Sequence, residues 1–285
     1  VTNVSPQRFP TIHVASTNNG QSGNSTAILG IWRLGSLLHR SPTAELNLTQ
    51  PADSVGSPRW DYVIKRAIGE DVESRRQINQ FVAAASTIVH PNLVAVLDAS
   101  NSSTTPYVVM PRLDGVTMQA HLDATDRKPL PVALWLVRQV AQALDALHSA
   151  GWIHGDVKPE NTIVGSRGHV TLVDLGFACR IHTVAGSHFR GTPAYSAPET
   201  MSGNHAALPS ADVFSLGRIL WKWLTHTHPT NRSTLEPIAD LVESMVSDDM
   251  NQRPTAGRVA KQLLKLEIET LGQHIGPADG IRRAA

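Results

Sequence analysis

The chain has 285 residues, 41% hydrophobic and 17% charged, with a formal net charge of +1 at pH 7. This length can bury a sizeable core in one large domain or in two lobes. The near-neutral balance excludes a strong pull toward nucleic acid or an anionic membrane surface, and no apolar run approaches the ~20 residues that span a bilayer. Cys179 is the single cysteine, so no intrachain disulfide forms, which fits a reducing, cytoplasmic setting. The start at Val1, with no signal-peptide pattern, reads as a piece of a longer protein, and a membrane anchor outside it stays open.

In chain order, residues 1–27 are rich in Asn, Ser, Thr, Pro and Gly and read as a disordered linker. Gly20-Gln21-Ser22-Gly23 has no Gly-Lys-Ser/Thr after it, so it is not a phosphate loop. Ile31–Leu38 and Glu45–Thr49 read as a hairpin, and Trp60–Ala67 as a third strand. Residues 71–88, free of Pro and Gly, suit a helix, and Val94–Leu97 and Tyr107–Met110 suit two further strands. Pro111–Gly115 reads as a hinge. After Pro131 the apolar positions Val132, Leu136, Val140 and Leu144 recur every four residues and define one face of a helix that stops at Ala150-Gly151. Helical patterns then dominate: Asp212–Leu224, Leu235–Val246 and Ala256–Leu271. A strand-rich first part precedes a helical second part, an α+β chain without internal repeats.

Three runs carry the chemistry. The first is Trp152-Ile153-His154-Gly155-Asp156-Val157-Lys158-Pro159-Glu160-Asn161, the second Asp174-Leu175-Gly176, and the third Ser187–Glu199, ending Gly191-Thr192-Pro193-Ala194-Tyr195-Ser196-Ala197-Pro198-Glu199. In this order and at this spacing they resemble the catalytic loop, metal-binding loop and activation-segment end of a bacterial-type, eukaryotic-like Ser/Thr protein kinase. Each residue alone would read as an ordinary surface Asp, Lys or Asn; the set in register does not.

The resemblance, over about Ile31 to Leu271, implies a bilobal protein-kinase fold. Residues 28–111 would form a small β-rich lobe with one helix, 112–272 a large helical lobe and 273–285 a tail. It implies transfer of the ATP γ-phosphate to Ser/Thr hydroxyls of protein substrates, with Mg²⁺ or alternatively Mn²⁺. Asp156 would orient the hydroxyl and accept its proton, and Lys158 would neutralise charge on the moving phosphate. Asn161 and Asp174 would hold the metal. Lys65, ending Tyr62-Val63-Ile64-Lys65, would contact the α- and β-phosphates. Leu38 and Leu46 would flank the phosphate-facing turn, Met110 would be the gatekeeper beside adenine, backbone groups near Arg112 and Leu113 would bond the adenine edge, and Asp114 would reach the ribose. His154, Asp212, Thr192 and a Glu199–Arg253 pair would be supports. No nucleic-acid or membrane contact is expected of this segment, and a homodimer through the back of the small lobe stays open. The remaining histidines, His226 and His228 among them, lack Cys or carboxylate partners at ligand spacing and read as ordinary surface or core residues.

Three departures stand out. The turn His39-Arg40-Ser41-Pro42-Thr43-Ala44-Glu45 has none of the family's glycines, which let backbone approach phosphate. Counting back from His90-Pro91-Asn92 puts Phe81 where the helix should offer a Glu to Lys65; the nearest carboxylates are Glu70, Asp71 and Glu73. The loop reads His-Gly-Asp rather than His-Arg-Asp, removing the usual clamp for an activation-segment phosphate. Phosphorylation at Thr183 or Ser187 is therefore not the expected principal switch, and Thr183→Ala with Ser187→Ala should leave transfer activity in place in a kinase assay. The first two departures favour a pseudokinase, a nucleotide-binding or scaffold module. Retention of Lys65, Asp156, Lys158, Asn161 and Asp174 favours an active kinase. Small-molecule phosphotransferases share the His-Gly-Asp loop but lack the Ala-Pro-Glu-ended segment.

Overall fold

The computed structural model describes residues 27–69, 71–101, 105–184, 189–201 and 206–274. Nearly all of the expected linker, most of the tail, Glu70 and Ser187 lie outside the described residues.

Six strands form one sheet in the order β1-β2-β3-β4-β6-β5: β1 Ile28–Leu29, β2 Trp32–Arg40, β3 Ala44–Pro51, β4 Tyr62–Ala67, β5 Asp98–Ser100 and β6 Tyr107–Pro111. All their pairings are antiparallel. Helix α1, Val72–Ala85, lies between β4 and β5 in sequence. It starts where Asp71 accepts the Ser74 N–H at 2.9 Å, a side-chain cap on an otherwise orphan amide. Asp71 is therefore the cap of this helix. The strand expected over Val94–Leu97 is not formed. Leu93 bridges to Leu172 and the Val94 N–H donates to the Leu172 carbonyl, so the start of this stretch ties the small lobe to the large one, before the Leu97 N–H bonds the Val109 carbonyl at 2.8 Å and the strand begins at Asp98.

β7, Val116–Thr117, and α2, Met118–Asp123, follow the hinge. A Cβ on Gly115 would come within 2.4 Å of the Val164 carbonyl oxygen, so only glycine lets the hinge end lie this close to the strand below. α3, Leu130–Ser149, buries Leu136, Val140 and Leu144 of the predicted face and Leu147 beyond them, while Val132 at its start is half-buried. Beyond it come β8 (Trp152–Ile153), β9 (Thr162–Val164), β10 (Val170–Leu172) and β11 (Cys179–Arg180), then α4 (Pro198–Met201), α5 (Pro209–Leu224), α6 (Arg232–Met245) and α7 (Ala256–His274). α7 runs past the domain end expected at residue 272. β9 pairs antiparallel with both β7 and β10, which sets the two site loops side by side.

One apolar cluster runs through both lobes, from Val63, Phe81, Val108 and Met110 through Met118 and Leu172 into α3, α5, α6 and α7. A smaller cluster of Trp32, Ile64, Tyr107 and Val109 covers the outer face of the sheet. Among the described residues no helix is long and apolar enough to cross a membrane.

Candidate active site

β8 delivers the chain to a loop fastened from beneath. The Asp212 carboxylate, 1% exposed on α5, accepts the N–H groups of His154 at 2.7 Å and Gly155 at 2.9 Å. His148 of α3 meets the same carboxylate at 2.9 Å. Burial pushes the Asp212 pKa up, but the His148 contact and the His154 amide outweigh it and hold the group below the usual carboxylate value. His154 is fully buried and reaches the Val173 carbonyl at 3.0 Å, linking this loop to the next. Gly155 has φ +79°, and a Cβ there would meet the Phe177 carbonyl oxygen at 2.8 Å. The backbone at this position is thus shaped for glycine.

Asp156 is buried and its two oxygens are separately claimed. Oδ1 accepts the Thr192 hydroxyl at 2.8 Å; Oδ2 accepts Asn161 Nδ2 at 3.0 Å and lies 2.7 Å from Lys158 Nζ. Lys158 also donates to Thr192 Oγ1 at 2.8 Å. Asp156, Lys158 and Thr192 therefore form one closed polar ring, with Asn161 bonded to it. Charge-assisted bonds of this kind fix orientation more strongly than neutral ones.

Asp174 follows β10 with φ +64°, a left-handed backbone that turns its side chain toward the small lobe. Its Oδ1 accepts Lys65 Nζ at 2.5 Å and the Gly176 N–H at 3.2 Å. Burial raises the Asp174 pKa, but the Lys65 charge and these hydrogen bonds more than offset it, so the group stays ionised. Lys65 stands in β4 opposite Leu46 and Val108. Phe81 occupies the place where a helix carboxylate was sought. It is fully buried, and its ring centroid lies 5.8 Å from Lys65 Nζ. Lys65 is thus held by Asp174 and an aromatic face.

Leu38 and Leu46 pack on the main core and Met110 is buried in it. At the hinge the Arg112 N–H donates to the Asp61 carbonyl at 2.8 Å. Arg112, Asp61 and Asp114 line a small polar cavity of about 260 Å³ at its outer end. The glycine-free turn is a tight hairpin. Ser41 Oγ accepts the N–H groups of Thr43 at 3.3 Å and Ala44 at 3.0 Å, and Ser41 N–H donates to the Ala44 carbonyl at 2.9 Å. The amides that glycines would leave open are consumed within the turn.

The end of the activation segment is anchored by Glu199, whose oxygens accept Arg253 Nη1 at 2.6 Å and Nη2 at 2.9 Å. Tyr195 lies 3.3 Å from Lys222 Nζ, which also donates to Gln119 at 2.8 Å. Burial, with the nearby Glu160, pushes the Tyr195 hydroxyl up to about 12. Burial likewise pushes the Cys179 thiol up to about 11, so it is neutral and unreactive at ordinary pH.

Sequence reasoning missed Gln77 and Thr43, which bond to each other at 2.8 Å, and the place of Glu73 beside them. The only signal was spacing: Glu73 and Gln77 are four apart on a helix and so share a face.

A family profile described as "Protein kinase domain" matches residues 60–266. Among curated proteins, the chain is 28% identical to the "Probable serine/threonine-protein kinase pknA2" of Bifidobacterium longum, over 67% of this chain and 28% of that protein. It is 31% identical to the "Probable serine/threonine-protein kinase PknB" of Lactococcus lactis, over 55% of this chain and 25% of that protein. It is 30% identical to the "Serine/threonine-protein kinase PknE" of Mycobacterium bovis, over 67% of this chain and 34% of that protein. The chain therefore spans about a quarter to a third of the length of these relatives. With the profile matched across most of the sequence and both site loops inside the match, the chain belongs to the protein kinase domain family.

Proposed function

We propose that this domain transfers the γ-phosphate of ATP to Ser or Thr hydroxyls of protein substrates, with Mg²⁺ as the working cation and Mn²⁺ able to replace it. The observation that carries the reading is the ring of Asp156, Lys158 and Thr192 with Asn161 bonded to it, whose loop is joined to that of the Lys65–Asp174 pair by the Val173 N–H, which donates to the Asn161 carbonyl at 2.9 Å. The family uses ATP and a divalent cation, and the residues present fit such a cation. Asn161 spends its amide nitrogen on Asp156, which leaves its hard oxygen for a metal. Asp174 commits Oδ1 to Lys65 and Gly176, and Oδ2 accepts no hydrogen bond among the described residues. When bound, the cation would neutralise phosphate charge.

In the proposed reaction Asp156 accepts the hydroxyl proton as the hydroxyl oxygen bonds to the γ-phosphorus and the bond to the bridging oxygen breaks, releasing ADP. Lys158 offsets the charge on the transferred group, and Thr192 and Asn161 hold Asp156 in aim. Lys65 faces the α- and β-phosphates. Leu38, Leu46 and Met110 enclose the adenine, backbone groups of Arg112 and Leu113 serve its edge, and Asp114 serves the ribose. Residues 28–111 act as the small lobe and 112 onward as the large one.

The test is transfer of γ-labelled phosphate from Mg·ATP to the protein itself and to a generic basic protein, beside Asp174→Ala. Label on Ser or Thr with the unmodified chain, absent with the variant, is the expected result. A folded sample that binds nucleotide but transfers no label would sink the kinase reading and leave a nucleotide-binding module.

A further inference from the structure

We infer that Glu73 and Gln77 of α1 are positioning residues that tie the activation segment, through Arg190, to the phosphate-facing turn, through Thr43. This deepens the kinase reading and rests on it. In the absence of a carboxylate at Phe81, they orient the helix and the turn about the site.

The contacts form one continuous chain. Arg190 Nη2 lies 3.7 Å from Glu73 Oε2. Glu73 Oε1 accepts Gln77 Nε2 at 3.2 Å. Gln77 Oε1 accepts the Thr43 hydroxyl at 2.8 Å. Both ends of the Gln77 amide are therefore engaged, and its residue is only 7% exposed, so the side chain is fixed in one orientation. Arg76 pins Glu73 independently, with Nε to Oε2 at 2.7 Å and Nη2 to Oε1 at 2.5 Å. The Arg76 bonds, with the Arg190 charge, hold the Glu73 carboxyl down to about 2, so it is ionised throughout the working range.

The chain passes beside the reacting centre. A Cβ placed on Gly176, next to Asp174, would meet Gln77 Cβ at 3.4 Å and Lys65 Nζ at 3.7 Å. Gln77 thus sits one helical turn before Phe81, against the same Asp-Leu-Gly loop that Lys65 reaches. Phe81 anchors α1 by burial, which is strong but sets no direction. Hydrogen bonds do set direction. The turn also needs an outside hold. Its Thr43 and Ala44 amides are taken by Ser41, so its backbone has few donors left to fix it on a phosphate. Thr43 supplies the hold through its side chain.

The test compares Gln77→Leu, Thr43→Val, their double variant and Thr43→Ser, which keeps the hydroxyl that Gln77 accepts. Two readouts need no phosphate transfer: hydrogen–deuterium exchange across residues 39–46, and affinity for Mg²⁺ with a non-hydrolysable ATP analogue. Gln77→Leu and Thr43→Val should each speed exchange in the turn and weaken analogue binding by about 3–10-fold, the scale of one net hydrogen bond. The double variant should be no worse than Gln77→Leu alone, because the Thr43–Gln77 bond is already absent there. Thr43→Ser should stay within about twofold of the unmodified chain. In transfer assays the KM for ATP should rise more than kcat falls. Additive effects, or unchanged exchange with Thr43→Val, which leaves the helix intact, would overturn the tie. Failure of transfer by the unmodified chain would remove the kinase reading, while the exchange data would still decide whether the tie exists.

Discussion

Asp156→Asn is expected to lower the rate of phosphate transfer by about 10²–10⁴-fold, the range lost when a positioned acid–base group is removed. Nucleotide affinity should hold within about twofold, since nothing in the ring around Asp156 reaches the hinge. The variant is sharper than a loss of charge alone. Both Asp156 oxygens are acceptors: Oδ1 for Thr192, Oδ2 for Asn161 and Lys158. An asparagine turns its N–H₂ group either to Asn161 and Lys158, where donor faces donor, or to Thr192, whose hydroxyl must then rotate to accept and loses its carboxylate partner. The residue is only 6% exposed, so water does not easily relieve the conflict. The single-turnover rate at saturating Mg·ATP is the measurement. A rate within threefold or so of the unmodified chain would mean that Asp156 is not the proton acceptor, as such a group contributes ~10² or more.

What could be read from sequence divides by range. The catalytic loop was legible because its residues lie within one short run, and Asp156, Lys158 and Asn161 meet there. The helices were legible because burial follows periodicity, as along α3. Phe81 could be placed by counting from His90, and its full burial gives the position a packing role. The Val94–Leu97 stretch misled because the start of its apolar run serves a link to β10 instead of a ladder. A run that short does not separate the two uses. At the hinge, a sequence does not say which amides the neighbouring loop will take, and the Asp61 carbonyl takes the N–H of Arg112. The Thr43–Gln77 bond joins residues 34 positions apart on a turn and a helix. No local pattern records such a pair, and it becomes visible only once the sheet has set the turn above α1.

The second large effect is on stability, at Glu199. The Arg253 side chain is fully buried beneath the activation segment. It spends two nitrogens on Glu199, donates Nε to the Ser247 carbonyl at 2.8 Å, and stacks 5.0 Å from the Phe214 ring. Glu199→Ala leaves that guanidinium buried without its counter-ion and should cost about 3–5 kcal/mol in urea unfolding. Transfer should fall with it, because Thr192 sits on the segment that Glu199 anchors. Arg253→Met behaves differently: it removes the buried charge, keeps apolar volume beside Phe214, and leaves a Glu199 side chain that is 17% exposed and can draw on water. The informative case is the double variant. If the buried unpaired charge is the main cost, adding Arg253→Met to Glu199→Ala recovers stability relative to Glu199→Ala alone. If the two losses simply add, the pair acts as two independent packing contacts, and the charge argument fails. A surface ion pair would give neither a large single loss nor a recovery, since such pairs contribute only ~0–1 kcal/mol. The sign of the second step therefore reports how far burial, and not contact alone, makes this pair the anchor of the segment.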